Sequence, residues 1–214
     1  MKLTKYTQAC VELESDGVRI VIDPGVFDKH ADRIIANANA VLITHDHGDH
    51  IDQAAVTKVL RENENLKVYG PSTVTEGLGS FGGRVITVVP GDEFTVGSVG
   101  IKVLGTGKHA PVHHSMSVTD NVCYLIDNKV YHPGDSFDVP AVRVETLLVP
   151  TSGPWMKTGE AADFIMAIKP LRSIQIHDAV DSEIGDHLAL ETLGATGITG
   201  IELIQLKIGK SIEI

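Results

Sequence analysis

Hydrophobic and polar positions follow two different periods along the chain. Near its start, residues 9–15 (ACVELES) alternate between apolar and polar, and residues 18–25 (VRIVIDPG) continue as a second extended segment after the turn pair Asp16-Gly17. Residues 49–63 (DHIDQAAVTKVLREN) and 157–170 (KTGEAADFIMAIKP) instead space their apolar residues as a helix does. The patterning therefore predicts a mixed α/β protein, with a hairpin first and helices later.

The order of these segments predicts how they pack. Apolar runs typical of buried strands occur at residues 40–44 (AVLIT), 145–150 (ETLLVP) and 172–179 (RSIQIHDA), and residues 201–209 (IELIQLKIG) suggest a last strand. Strands come first and a helix later, twice over, which favours two sheets packed together with helices outside. With 214 residues, a single domain over residues 1–214 is expected.

Composition narrows the class of protein. Hydrophobic residues make up 43% and charged residues 21%, as in ordinary soluble globular proteins. No apolar stretch approaches the roughly 20 residues that cross a bilayer, and the first residues lack the apolar region of a signal peptide, so we expect a cytoplasmic protein without a membrane partner. A net charge of −10 disfavours nucleic-acid binding and leaves a small molecule as the expected partner.

Potential metal-ligand side chains are most concentrated in residues 41–52 (VLITHDHGDHID), where they follow an apolar run directly. In a helix, His45 and His47 would point about 200° apart, whereas a loop leaving a strand lets both imidazoles converge. Imidazole and carboxylate together favour zinc, iron or manganese. With Asp49 and His50, the loop holds four candidate ligands, one more than an open catalytic zinc site uses, so we expect two metal ions.

Three later segments offer the remaining ligands, and each follows an apolar, strand-like run. These candidates are His109, His113 and His114 in GKHAPVHHS, His132 and Asp135 in YHPGDS, and His177 and Asp178 in IQIHDAV. His109 is favoured over His113 as a ligand because a ligand should leave the strand end directly, but the choice stays open. We interpret His132 as a structural histidine, Asp178 as a capping carboxylate, Asp23 as a turn residue, and Trp155 as core or pocket wall. For His132, Asp178 and Asp23, a contact behind the metal ligands is the alternative.

The H-x-H-x-D-H motif, followed by a histidine, the aspartate of HPGD and a late histidine, resembles the metallo-β-lactamase superfamily from about Val21 to Asp178. The short chain is most similar to the ascorbate-6-phosphate-lactonase-like branch and its uncharacterised zinc-dependent relatives. This resemblance implies a four-layer αββα sandwich, in which two mixed β-sheets are flanked by helices and the metals lie at one edge.

The resemblance also implies a division of the ligands between two divalent ions, with Zn²⁺ as the first choice and Mn²⁺ or Fe as alternatives. His45, His47 and His109 would hold the first ion. Asp49, His50 and His177 would hold the second. Asp135 would bridge the two.

The leading functional hypothesis is a hydrolase, in which a hydroxide held between two metals attacks an ester, lactone, amide or phosphoester. Asp49 would orient the nucleophile or relay its proton, and His113 is the candidate proton donor or oxyanion contact. The chain differs from two specialised branches of the superfamily. Zinc β-lactamases of the main type have a cysteine in a metal-ligand position, and this chain has none there. In the flavodiiron branch a glutamate occupies the place of His47.

Two alternatives remain on the same fold. One is a mononuclear iron oxidoreductase resembling a sulfur dioxygenase, because geometry alone does not fix the metal. The other is a non-catalytic metal-binding protein. A homo-oligomer is also left open.

Overall fold

Two seven-stranded sheets form the centre of the protein. The computed structural model describes all residues from 1 to 214. The first sheet consists of β1 (Lys2–Lys5), β2 (Val11–Ser15), β3 (Val18–Ile22), β4 (Ala40–Leu42), β5 (Lys67–Gly70), β6 (Val85–Thr87) and β14 (Ser211–Glu213), in the order β14-β1-β2-β3-β4-β5-β6. Strands β3 to β6 are parallel and the remaining pairs are antiparallel.

The second sheet has the same mixed character. Its strands are β7 (Glu93–Val96), β8 (Val99–Leu104), β9 (Cys123–Ile126), β10 (Val130–His132), β11 (Thr146–Pro150), β12 (Arg172–Ile176) and β13 (Leu203–Ile204), in the order β13-β12-β11-β10-β9-β8-β7. Strands β10 to β13 are parallel, and the pairs from β7 to β10 are antiparallel.

Helices cover the outer faces of both sheets. They are α1 (Ala31–Ile35), α2 (Gln53–Glu62), α3 (Ser72–Leu78), α4 (Thr158–Ile168) and α5 (Glu183–Leu193), with a short 3₁₀ turn at Phe81–Gly83. None of them combines the length and the apolar character that a bilayer-crossing helix needs.

Three apolar clusters hold these layers together. The largest lies between the sheets, the second joins the first sheet to α2 and α3, and the third joins the second sheet to α4 and α5. Successive side chains of a strand point to opposite faces. Leu42 and Leu148 accordingly enter the cluster between the sheets, whereas Val41 and Leu147 face the helices. Strands buried on both faces explain the continuous apolar runs of β4 and β11.

The predicted αββα sandwich is confirmed, and the hairpin of β2 and β3 turns at Asp16-Gly17, both with positive φ. Other boundaries differ from the prediction. Helix α2 begins at Gln53 rather than Asp49, because the Asp52 side chain accepts a hydrogen bond from the amide of Ala55 and caps it.

The sheet edges also differ from the sequence prediction. The expected last strand shrinks to the two residues of β13, while β14 and β1 pair with each other and were not predicted. β14 is the edge strand and β1 lies next to it. Both are short, their pairing joins residues far apart in sequence, and alternation within a few residues carries too little signal to reveal them.

The carboxyl ends of β3, β4, β8, β10 and β12 meet at one edge of the sandwich, and the candidate ligands leave these ends. Hydrogen bonds tie the two sheets together there. The Tyr124 hydroxyl of β9 donates to the carbonyl of Ile43 at 2.9 Å, and the amide of Val122 donates to the carbonyl of Thr44 at 2.9 Å. The H-x-H-x-D-H motif of the first sheet is thereby fixed relative to the candidate ligands from the second sheet.

Candidate metal centre

The loop between β4 and α2, residues 43–52, carries the H-x-H-x-D-H motif and lies against Asp23-Pro24-Gly25. The amide of Asp52 donates to the carbonyl of Pro24 at 2.8 Å, and the amide of Val26 donates to that of Gly48 at 2.8 Å. A Cβ at Gly25 would lie only 1.9 Å from the carbonyl oxygen of Asp49. Only glycine therefore allows the two segments to approach this closely.

The structure brings all seven predicted ligands together. They form two groups whose potential ligand atoms lie within 4.8 Å of one another: His45, His47, His109 and Asp135 in the first, and Asp49, His50 and His177 in the second. Oδ2 of Asp135 lies 3.3 Å from Nε2 of His109, and Oδ1 lies 3.1 Å from Nε2 of both His50 and His177. The two oxygens of one carboxylate therefore face the two groups.

Several of these atoms are buried without a hydrogen-bond partner. They are Nε2 of His50, Nε2 of His109 and Oδ1 of Asp135. A buried polar atom left unpaired costs about 1–3 kcal/mol, so such atoms rarely converge without a reason. Nitrogen and oxygen atoms aimed at common points fit bound divalent cations, and the donor set of imidazoles and carboxylates suits zinc, manganese or iron.

The outward-facing nitrogens of the imidazoles are held by neighbours. Nδ1 of His177 donates to the carbonyl of Ser152 at 2.6 Å, and Nδ1 of His109 donates to the carbonyl of Ala110. Because a carbonyl can only accept, both rings carry their proton on Nδ1. Their Nε2 atoms are thus directed inward, and in the neutral form of each ring Nε2 offers the lone pair that a metal ligand requires.

Asp23 supports the second group from behind. It is fully buried at the end of β3 and accepts hydrogen bonds from Nδ1 of His50 at 2.7 Å and from the Thr44 amide and hydroxyl at 2.8 and 2.6 Å. The Thr44 hydroxyl, having donated to Asp23, accepts from Nδ1 of His45 at 3.0 Å. The structure therefore favours the alternative for Asp23, a contact behind the metal loop, over the turn residue expected first from Asp-Pro-Gly.

Gln8 is a contact that the sequence did not reveal. Its buried amide nitrogen lies 2.9 Å from Oδ2 of Asp49 and 3.1 Å from Nε2 of His177, and its Oε1 accepts from the amide of Ala179 at 2.9 Å. Gln8, Asp23 and His177 all have positive φ, 60°, 50° and 56°. Such backbone strain in non-glycine residues is typical of functional sites.

The two groups differ in their electrostatics. Burial and neighbouring imidazoles lower the pKa of His45 well below its usual value, and they lower that of His47. Burial opposes charge on His50 and His177, but the carboxylates around them outweigh it. Asp135 and Asp23 raise the pKa of His50 well above its usual value, and Asp135 and Asp49 raise that of His177 to about 9.

The carboxylates respond in the opposite sense. Burial would raise the pKa of Asp135, yet the contacts with His50, His109 and His177 hold it well below the usual value. For Asp49, contacts with His177, His50 and Gln8 likewise outweigh burial and lower the pKa. Both carboxylates are therefore ionised at neutral pH and available to cations.

Comparison with known proteins decides the family. The family model of the beta-lactamase superfamily domain matches residues 2–177. The chain belongs to the metallo-β-lactamase superfamily. A Mycobacterium tuberculosis protein, Rv0786c, is 34% identical over 185 residues, which cover 84% of this chain and 85% of the relative.

Two further relatives agree with this assignment. A UPF0173 metal-dependent hydrolase of Methanopyrus kandleri is 27% identical over 203 residues, covering 83% of this chain and 84% of that one. The structure of Igni18, a metallo hydrolase from Ignicoccus hospitalis, matches the fold with a TM-score of 0.75 at 19% identity, over 99% of this chain and 97% of Igni18. This member of the superfamily is a metal-dependent hydrolase.

His113, the second candidate catalytic residue of this hydrolase, lies apart from the ligand groups. It is exposed on the loop after His109, and its Nδ1 lies 2.7 Å from the hydroxyl of Ser115. His114 lies beside it, with ring centroids 4.0 Å apart and the ring planes tilted by 40°. The structure thus places His109, and not His113, among the convergent side chains.

The remaining polar candidates have structural partners. His132 is buried, and its ring nitrogens contact the carbonyl of Ala9 at 2.9 Å and the amide of Gly134 at 3.1 Å. Asp178 forms an ion pair of 2.9 Å with the buried Lys5. These positions agree with the structural histidine and the non-ligand carboxylate expected from the sequence.

Trp155 forms a wall of the metal centre. Its ring is buried, with the ring centroid 6.0 Å from that of His109 and 6.1 Å from that of His177.

The two cysteines are also buried, and burial raises the pKa of the Cys123 thiol to about 12. Neither thiol is suited to act as a nucleophile in this hydrolase.

Proposed function

We propose that this enzyme holds two divalent metal ions, Zn²⁺ in the first place, and hydrolyses an ester, lactone, amide or phosphoester of a small molecule. The observation that carries the proposal is the division of Asp135, whose two carboxylate oxygens face two separate groups of histidines. A site for one ion would not require a second set of inward-facing nitrogen and oxygen atoms.

The residues available to each ion follow from the two groups. His45, His47 and His109 would hold one ion, Asp49, His50 and His177 the other, and Asp135 both. When bound, such ions lower the pKa of a water molecule toward neutrality and polarise the scissile group.

Asp49 is suited to move the proton. Its Oδ2 is fixed by Gln8 and lies 3.5 Å from Nε2 of His177, whereas no hydrogen bond engages its Oδ1. Oδ1 can therefore accept the proton that the attacking water loses. As the water oxygen bonds to the acyl carbon and the bond from that carbon to the leaving oxygen breaks, Asp49 returns the proton to the leaving oxygen.

We retain the prediction that His113 contacts the substrate or donates a proton to it. It is exposed on the loop that borders His109, and none of its hydrogen bonds uses Nε2. Its neighbour His114 provides a matched control. If His113 touches the reacting group, His113→Ala lowers kcat while His114→Ala does not.

Metal analysis of the purified protein tests the proposal most directly. We expect two ions per chain and loss of turnover on chelation, with recovery when Zn²⁺ is restored. Substrates are sought by screening phosphodiesters, lactones and thioesters against the zinc-loaded protein. One iron per chain, with oxygen consumption and no hydrolysis, would instead identify the mononuclear oxidoreductase alternative.

A further inference from the structure

The loop after His109, residues 110–119, carries an apolar surface at the entrance to the metal centre. We call it the mouth loop. Three of its side chains are large, apolar and exposed: Val112 by 41%, Met116 by 57% and Val118 by 40%. Exposed apolar side chains are ordinary when they are scattered. Three within seven residues beside the candidate metal centre form a surface suited to contact an apolar group.

Both ends of the mouth loop are tied to the metal centre. The amide of Ala110 donates to the carbonyl of Asp135 at 2.8 Å, and the amide of His109 donates to the carbonyl of Thr119 at 3.1 Å. The Thr119 hydroxyl donates to Asp46, within the motif, at 2.7 Å. The middle of the loop is closed by a bond of 3.0 Å from the Met116 amide to the carbonyl of His113. These bonds fix the exposed apolar side chains relative to the ligands.

A small cavity of about 90 Å³ lies between the mouth loop and two of the ligands. Its lining residues are His47, His109, Ala110, Pro111, Val112, Met116, Ser117, Val118 and Thr119. No aspartate, glutamate, lysine or arginine contributes to it. Since a dry apolar cavity of about 150 Å³ holds the six carbons of benzene, this one has room for about three or four carbon atoms.

We propose that this cavity is the acyl subsite of the enzyme, and that the substrate is an ester with a short, uncharged acyl chain. The proposal rests on the function proposed above and narrows its substrate class. Because the acyl carbon is the atom attacked, its chain starts at the metal ligands, and the cavity against His47 and His109 is the apolar surface beside them. Three or four carbons beyond the carbonyl correspond to a butyryl or pentanoyl group.

Chain length gives the first test. For p-nitrophenyl esters from acetate to octanoate, kcat/KM of the zinc-loaded enzyme should rise about fourfold for each methylene buried and then fall beyond pentanoate. Val112→Phe, which fills the cavity, should move the optimum to acetate, and Met116→Ala, which removes a wall, should move it to longer chains. Met166→Ala, at a partly exposed methionine of α4, is the matched control and should leave the profile unchanged.

A binding measurement tests the subsite without turnover. The chain has four methionines, so labelling their methyl groups with ¹³C provides one reporter in the cavity, Met116, and three elsewhere. Titration of the zinc-loaded protein with butyrate should shift the Met116 resonance and not that of Met166. The shift should exceed that caused by acetate, and Val112→Phe should abolish it.

The two measurements separate the subsite from the proposed function. Butyrate binding at Met116 without cleavage of any ester would retain the subsite and contradict the ester hydrolase. Cleavage with a flat chain-length profile in the wild type and Val112→Phe would overturn the acyl subsite, as would a Met116 resonance that butyrate moves no more than acetate does.

Discussion

The two ligand groups lie side by side at one edge of the sandwich, yet they are built differently. The first combines the neighbouring His45 and His47 with His109, and a hydroxyl and a backbone carbonyl support the rings of His45 and His109. The second is supported by the buried carboxylate of Asp23 and the amide of Gln8, and includes strained backbone. The first site therefore depends mainly on its own ligands, and the second also depends on residues behind them.

Loss of the shared carboxylate should have the largest effect, because it removes the one residue common to both groups. We expect Asp135→Ala to bind fewer than two ions and to lose at least about 10³-fold in kcat/KM, equivalent to several kcal/mol of transition-state stabilisation. Metal analysis and turnover provide the measurements. Asp32→Asn, on a surface helix, is the control and should retain both ions; full metal content in Asp135→Ala would refute the shared role.

Single-ligand variants should separate the two positions. His47→Ala should weaken the first ion and His177→Ala the second, so each variant retains about one tightly bound ion, with turnover lowered by about 10²-fold or more because one charge is missing. Calorimetric titration of the metal-free variants with Zn²⁺ counts the remaining sites. Loss of both ions in each variant would mean that the groups form a single site.

Asp23→Asn should weaken the second ion more than the first, because Asp23 contacts His50 directly and reaches His45 only through the Thr44 hydroxyl. Residues behind metal ligands typically contribute 10–100-fold to metal affinity, and we expect a loss in this range for the second ion with a smaller loss for the first. The first ion serves as the internal control in the same titration. An equal loss at both positions would show that Asp23 acts through general stability, since Thr44 also depends on it.

Gln8→Ala should have a smaller effect in the same direction. It removes a hydrogen bond from an uncharged amide to the Asp49 carboxylate, so we expect about a tenfold loss for the second ion and a change in kcat without a change in KM. Thr7→Ala, at the adjacent residue that contacts Asp28, is the matched control. If both variants behave alike, Gln8 supports only the local fold.

The smallest expected effect is on the pH dependence of the stability of the metal-free protein. The pKa of His177 rises from its usual 6.5 to about 9 in the folded state, so its stabilising contribution is complete below pH 6.5 and is lost as pH rises through 9. Denaturant unfolding in the presence of chelator should therefore show a stability advantage over His177→Gln that shrinks across this interval. A constant difference would contradict the charged state of His177.

The contrast between the two groups also explains what the sequence could predict. The first-group pair His45 and His47 and the motif around them are local, so spacing alone indicated a metal loop at a strand end. Asp135 and His177 were found because each follows an apolar strand. The side chains behind them gave weaker signals, because a polar residue such as Gln8 acquires its contact only when β1, β12 and the metal loop meet.

The same limit applies to the fold and to the mouth loop. Periodicity found the buried strands, whose two apolar faces leave a clear pattern, but it missed β1 and β14, which pair across the length of the chain. The cavity beside His109 depends on how the mouth loop folds back onto Asp46 and Asp135. Sequence spacing placed His113 near the site and could not show that Met116 and Val112 line the cavity.

The divided carboxylate of Asp135 would make the two proposed ions a thermodynamically linked pair. An ion bound to one oxygen of the Asp135 carboxylate would also orient the other oxygen, which the second ion would contact. The binding free energies of the two ions would therefore not be independent. By linkage, whatever factor the first ion applies to the affinity of the second, the second applies equally to the first. For the proposed pair, we therefore expect metal dependence to be a cooperative property, with one coupling energy that titration in either order should give.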